Sequence, residues 1–349
     1  MVTQRGVGGS TLTALPLRPP AVLDLTSDGE LHDGDPGRPR AGSGTPVPPA
    51  AVRSFLADRL RVPEDATDIV VFVHGWRNTP VGALGSARRL FGLVETEYAR
   101  RPGAYPALQG WRGHYVVVRW PSMSDPLLRG YRRIRDRAHA MTTRGRASQV
   151  LAQLLGYLNE QRRLPNAAPT LRTAGGQYLH CVGHSFGGRF LSEAVQAAAD
   201  SPPPVLGWSR ADARYPYAVD SLLVFQMAAS PGVFADRFPR LLHDAPVNGP
   251  IVLTRSRADR ATGLWHRLAE GTAGIGYAGA DRPPGHIGAV PLRRPDSPYG
   301  RAELDHRIVN VDAGRRFRRG RLWNPVGAHS DYCYPESAHL LLSLADLAR

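Results

Sequence analysis

The sequence predicts an α/β domain, a mostly parallel sheet with helices packed on both faces. Three observations carry that expectation. Short apolar, β-branched runs alternate with helical patterns through most of the chain, the order that builds parallel strands through helical crossovers. The run "DIVVFVHG" (68–75) is continuously apolar up to its end, the mark of a strand covered on both faces. No self-similarity appears at the period of about 20 to 50 residues that a solenoid needs. At 349 residues, 42% hydrophobic and 21% charged, the chain can bury a core of that kind.

The elements follow in order. Residues 1–48 are rich in Pro, Gly, Thr and Asp without periodicity and are expected to be a flexible approach to a domain spanning 49–349. "PPAAVRSFLADRL" opens on proline and sets Val52, Phe55, Leu56 and Leu60 on one helical face. After the 68–75 strand, "GALGSARRLFGLVETEYARR" is helical, "HYVVVRW" (114–120) is a strand, and a long helix-prone stretch covers about 130–163. "GQYLHCV" and "GGRFLSEAVQAAAD" form the next strand and helix. "VDSLLVFQMAA", "PIVLTRS" and "HRIVNVD" are the later strands; "VFADRFPRLLHD", "ADRATGLWHRLAE" and "SAHLLLSLADLA" are the later helices. Residues 271–305 are Gly- and Pro-rich and too long for an ordinary connection, so they are expected to form a flap-like insertion.

Composition narrows the function classes. The formal charge of +14 is carried by arginine alone, with no lysine, a bias that points to codon usage rather than to a nucleic-acid surface. Cys181 and Cys333 fit neither a disulfide framework nor a zinc motif. The first residues lack the apolar core of a secretory signal, and no run reaches the roughly 18 apolar residues of a membrane span. The expectation is a cytoplasmic protein without metal or organic cofactor.

Gly183-His184-Ser185-Phe186-Gly187 matches G-x-S-x-G, with a strand before it and a helix after it. A strand that reverses sharply into a helix holds its serine in a strained conformation, and the positions two before and two after it must lack Cβ atoms. The turn exposes a hydroxyl and aims helical N–H groups at an oxyanion beside it. A phosphate-binding or purely structural turn is the alternative. A serine becomes nucleophilic only when a base takes its proton, and the base needs a carboxylate to orient it.

In such a sheet the acid follows a later strand and the histidine precedes the last helix. The strand ending Ala228-Ala229-Ser230 has no carboxylate at its tip, whereas Asp259 lies just past the next strand. Asp259 also suits a helix cap or a pairing with Arg257 or Arg260. Among twelve histidines, His306 lies at the wrong end of its strand, His339 falls on the apolar stripe of the last helix, and His286 belongs to the insertion. His329 occupies the loop before the last helix and is the candidate base. The "FVHGWRNTP" strand end supplies the second oxyanion donor, so the backbone N–H groups of Trp76 and Phe186 are the candidate pair. His74 is expected to hold that loop.

These residues resemble the α/β-hydrolase superfamily over about residues 66–349. More narrowly the chain is similar to a poorly characterised bacterial branch of serine hydrolases. The shared segments are "HGWRNTP" (74–80), "RWPS" (119–122), "GHSFG" (183–187), "SRADRA" (256–261) and "AHSDY" (328–332). The resemblance implies an α/β-hydrolase fold, a Ser185–His329–Asp259 triad and a small-molecule acyl substrate cleaved through an acyl-enzyme. Arg77 and the Ala-Ser-Pro strand end depart from the branch. A histidine base predicts activity that falls below about pH 6 to 7. Lipase and acyltransferase chemistry use the same machinery. A rival from another class is a non-catalytic binding protein using "RRFRRGR" (315–321), where an aromatic is interleaved with arginines.

Overall fold

A computed structural model of the chain describes residues 17–34, 44–161, 177–200, 219–243, 247–320 and 322–349. Its frame is one eight-stranded sheet in the order β1-β3-β2-β4-β5-β6-β8-β7, with every neighbouring pair parallel. The strands are β1 (Ala21–Asp24), β2 (Asp68–Val73), β3 (Gly113–Arg119), β4 (Tyr178–His184), β5 (Ser221–Phe225), β6 (Ile251–Arg255), β7 (Ile287–Pro291) and β8 (Ile308–Asp312).

Every residue of β2, β3, β4 and β5 is buried, as the continuous apolar runs require of strands covered on both faces. Their side chains alternate between two cores. Ile69, Val71 and Val73 face one core with α1 (Val52–Arg59), α3 (Leu128–Thr143), α4 (Ala147–Gln161) and α5 (Phe186–Asp200). Val70 and Phe72 face the other, against α2 (Pro80–Arg100) and the last helix, Pro335–Leu347. The chain runs outward from β2 through β3, then returns to place β4 on the other side of β2. That reversal opens a crevice at the strands' carboxyl ends, the usual site of ligand binding in open α/β sheets.

Three expectations need correction. Ordered structure begins before residue 49. The short run "AVLD" is β1, parallel to β3, with Leu23, Leu25 and Leu31 buried. Arg119 on β3 donates to both oxygens of Asp24 at 2.6 Å, an ion pair with Arg119 only 4% exposed. Four residues are too few to display a period, so nothing in the sequence marked them. Residues 1–16 and 35–43 lie outside the described residues.

The 130–163 stretch is two helices. The chain breaks after Thr143 because Arg146 N–H is taken by Asp28 O at 2.8 Å. Residues 162–163 lie outside the described residues.

Residues 271–305 are not a flap over the site. They hold a short helix, Ile275–Ala278, and β7, the outer strand beside β8. The short helix is tied down by Ile275 N–H to Ala229 O and Gly276 N–H to Met227 O, each 2.9 Å. The Gly and Pro content suits an edge strand, which tolerates Gly288 and Pro291 where a central strand would not.

Candidate active site

Ser185 is the first residue past β4 and has φ of 57°. Non-glycine residues seldom occupy that left-handed region, and the strain is held by the elbow around it. A Cβ on Gly183 would lie 2.4 Å from Gly188 Cα, and one on Gly187 would lie 2.0 Å from Val73 O. Only glycine lets the strand reverse this tightly against β2. Ser185 N–H donates to Phe225 O at 2.9 Å, which ties the elbow to the end of β5.

His329 and Asp259 reach the same point from far along the chain, 144 residues separating His329 from Ser185 and 70 separating His329 from Asp259. His329 Nε2 lies 2.7 Å from Ser185 Oγ. His329 Nδ1 lies 2.9 Å from Asp259 Oδ2. A carboxylate accepts only, so Nδ1 carries the proton and Nε2 is left to accept from the hydroxyl. All three side chains are buried. Asp259 also takes the capping role: Oδ1 accepts from Thr262 N–H at 3.0 Å, at the start of the helical segment that runs from Ala261 through Glu270.

Three residues that the sequence reading passed over hold this group. Gln226, one residue past β5, has φ of 49° and turns its amide back into the site. Its Nε2 donates to Asp259 Oδ2 and to Ala328 O, both at 3.1 Å, so it ties the acid to the segment carrying His329. His184 Nε2 donates to His329 O at 2.7 Å; burial, then the neighbouring His329, push its pKa well down, so its ring stays neutral. Tyr131 on α3 packs beside the site, edge-on to Trp76 at 5.3 Å and tilted against Phe186 at 5.6 Å. The signal available for Gln226 was a lone amide directly after an apolar strand, which when buried must find partners.

The backbone N–H groups of Trp76 and Phe186 are given to no acceptor among the described residues. The loop with Trp76 packs directly on the elbow, since a Cβ on Gly75 would lie 2.6 Å from Ser185 Cβ. That loop is braced by the Trp-Pro-Ser segment. Arg77 N–H donates to Ser122 O at 3.0 Å, and Asn78 N–H to Ser122 Oγ at 3.2 Å. Trp120 N–H donates to His74 Nε2 at 3.1 Å, and its indole N–H to His74 O at 2.7 Å. His74 Nδ1–H donates to Gly75 O at 2.9 Å. His74 thus holds the loop and does not approach Ser185's hydroxyl; burial lowers its pKa to about 4.

The other candidates fall elsewhere. His339 is buried in the last helix between Tyr105 OH and Ser297 O. His306 packs against Gly288 on β7. The arginine-rich segment loses its stacking aromatic, because Phe317 is fully buried in the core and Arg316 pairs with Glu336 at 3.2 Å. Arg321 lies outside the described residues. Among the described residues no group of His, Cys, Asp and Glu is arranged to hold a metal, and no helix is long and apolar enough to cross a membrane. Beside the site a cavity of about 420 Å3 is walled by Tyr131, Phe186, Ala228, Ala229 and Val233, with Arg135, Arg189, Arg237 and Glu270 at its polar side.

No family model and no curated protein matches the chain. Among solved structures it is similar to phospholipase PlaB from Legionella pneumophila in complex with thio-NAD. The match covers 50% of this chain and 29% of that one, at 18% identity and a TM-score of 0.22. The chain therefore spans less than a third of that protein's length, and so loose a superposition bears on neither chemistry nor substrate.

Proposed function

We propose that the chain is a serine hydrolase of the α/β-hydrolase superfamily that cleaves an ester or related acyl bond. The observation that carries this reading is the 2.7 Å approach of His329 Nε2 to a serine held at φ of 57° on a strand-to-helix elbow. A structural serine has no need of a strained backbone, a base and an oriented tautomer together.

The reaction follows from these groups. Ser185 Oγ attacks the acyl carbon while its proton passes to His329 Nε2. Asp259, bonded at Nδ1, stabilises the imidazolium. The Trp76 and Phe186 N–H groups hold the tetrahedral oxyanion. On collapse the acyl carbon–leaving-group bond breaks and the leaving atom takes the proton from Nε2. Water, deprotonated by the same nitrogen, then attacks the acyl-enzyme, and Ser185 recovers its proton as the acid departs. The cavity lined by Phe186 is the substrate's place, and because Ser185 is buried, the side chains over it must give way on entry.

A fluorophosphonate probe tests this. Wild type is expected to label at Ser185, and Ser185→Ala to lose labelling by a factor of about 10^4 or more. Equal labelling of both, or of neither, defeats the proposal.

A further inference from the structure

Among the described residues exposed large apolar side chains are few, and they are confined to one edge. Among the described residues they are Val81, Met123, Leu127, Leu264, Leu268, Leu322 and Trp323. All seven lie in the segments that follow the carboxyl ends of β2, β3, β6 and β8, the edge that holds Ser185. Trp323 is 91% exposed and Leu322 69%. The segments are joined to one another. Arg132 donates to Leu268 O at 3.1 Å, Trp265 indole N–H to Pro325 O at 3.0 Å, and Trp76 indole N–H to Ser124 Oγ at 2.6 Å. Scattered single apolar residues need no explanation, but a set gathered on one side of a molecule does.

The charge around them is mostly positive. Arg129, Arg132, Arg133, Arg257, Arg260, Arg267, Arg318 and Arg319 are exposed in the same segments, against few exposed acids, Asp136 and Glu270 among them. A purely apolar patch on a partner would leave these arginines unmatched. Anionic headgroups above a hydrocarbon layer match both features at once: phosphates take the guanidinium groups, and the indole and leucine side chains enter the acyl boundary.

We propose that this edge docks on the surface of an anionic bilayer, with Leu322 and Trp323 as the inserting tip. The molecule would lie on the membrane rather than span it, with the covered Ser185 facing the lipid. The docking does not depend on the hydrolase reading.

Co-sedimentation with vesicles tests it, using phosphatidylcholine alone and phosphatidylcholine mixed with phosphatidylglycerol. Wild type is expected to sediment with the mixed vesicles, with a blue shift of tryptophan emission. The L322S/W323S double variant should bind at least about tenfold more weakly, as loss of two inserted apolar side chains requires, and should lose most of the blue shift. Both positions are exposed, so its melting temperature should stay at the wild-type value. Ser185→Ala should bind as wild type does. Failure to bind mixed vesicles overturns the proposal. So does binding that L322S/W323S leaves unchanged, which would be adsorption of a basic protein by charge alone. Single-stranded DNA that strips the protein from vesicles and retains it at matched salt would move the surface to nucleic acid and overturn it equally.

Discussion

Two Ser–His–Asp arrays stand among the described residues, at opposite edges of the sheet. At the carboxyl edge are Ser185, His329 and Asp259. At the amino edge His180 Nε2 lies 3.0 Å from Asp68 Oδ1, and His180 Nδ1 lies 2.8 Å from Ser221 Oγ. Both arrays are buried, and both have hydrogen-bond distances that a triad would have. They differ in backbone. Asp68, His180 and Ser221 stand on regular strands, with His180 paired to Ser221 in the ladder. Ser221 therefore has no elbow and no row of unused N–H groups beside it. Its acid is also spoken for, because Arg349 donates to both oxygens of Asp68 at 3.0 and 2.8 Å. Among the described residues, positive φ outside glycine occurs only at Arg77, Ser185 and Gln226, all at the carboxyl edge. Side-chain types at bonding distance make a relay; strain, free donors and a neighbouring cavity make a site.

The largest expected contrast is in the acids. Asp259→Asn leaves the shape of the site but favours the wrong imidazole tautomer, and probe labelling should fall by about 10^4. Asp68→Asn should leave labelling per folded molecule within about twofold, while unfolding becomes easier by about 3 to 5 kcal/mol, because Arg349 is left beside an uncharged partner. Labelling rates and urea denaturation of both variants decide it. A labelling loss in Asp68→Asn with unchanged stability would make the amino-edge array part of the working machinery.

How much of this contrast the sequence carried depends on distance along the chain. Ser185 was legible because its constraints are local: two glycines, a strand before and a helix after. Asp259 and His329 were legible because chain order and strand ends limit where an acid and a base can stand. The amino-edge array was not, since Asp68, His180 and Ser221 meet only through strand register, which no local pattern encodes. Gln226 was missed for a related reason. Its role comes from a backbone turn at φ of 49° that sends an amide back towards Asp259, and sequence marks such a turn clearly only when glycine occupies it. β1 and β7 were missed as edge strands, one too short to show alternation and the other hidden by glycine and proline.

The site loop and the Asp68 array should lose stability in different acid windows. At the carboxyl edge burial lowers His74 to about 4, and His184 and His266 are lowered as well. A histidine held neutral in the fold takes its proton more readily when unfolded. Stability is then complete above about pH 6.5 and is lost as pH falls from there through the folded value. For His74 alone the loss by pH 4.5 is about 2 to 3 kcal/mol. His74→Gln keeps one acceptor for Trp120 N–H and one donor for Gly75 O. It should be less stable at pH 7 but flatter between pH 7 and 4.5 in urea denaturation. An unchanged slope would remove His74 from the account.

The smallest effect belongs to the Asp68 array. Burial pushes the Asp68 carboxyl up, but His180 and Arg349 outweigh it and hold it below the usual carboxylate range. The direction is the same as for the histidines but the window lies lower: this stabilisation is present above the unfolded value near 4 and disappears only as pH falls through the lower folded value. Arg349→Gln, which also gives up the stacking of its guanidinium 4.1 Å over Tyr178, should cost about 1 to 2 kcal/mol at pH 7. The gap from wild type should narrow below about pH 4, where the carboxyl begins to protonate. Labelling should not change at any pH where both proteins are folded. A rate that follows Arg349 would mean that the two edges share one proton network through β4, and the division between relay and site would have to be given up.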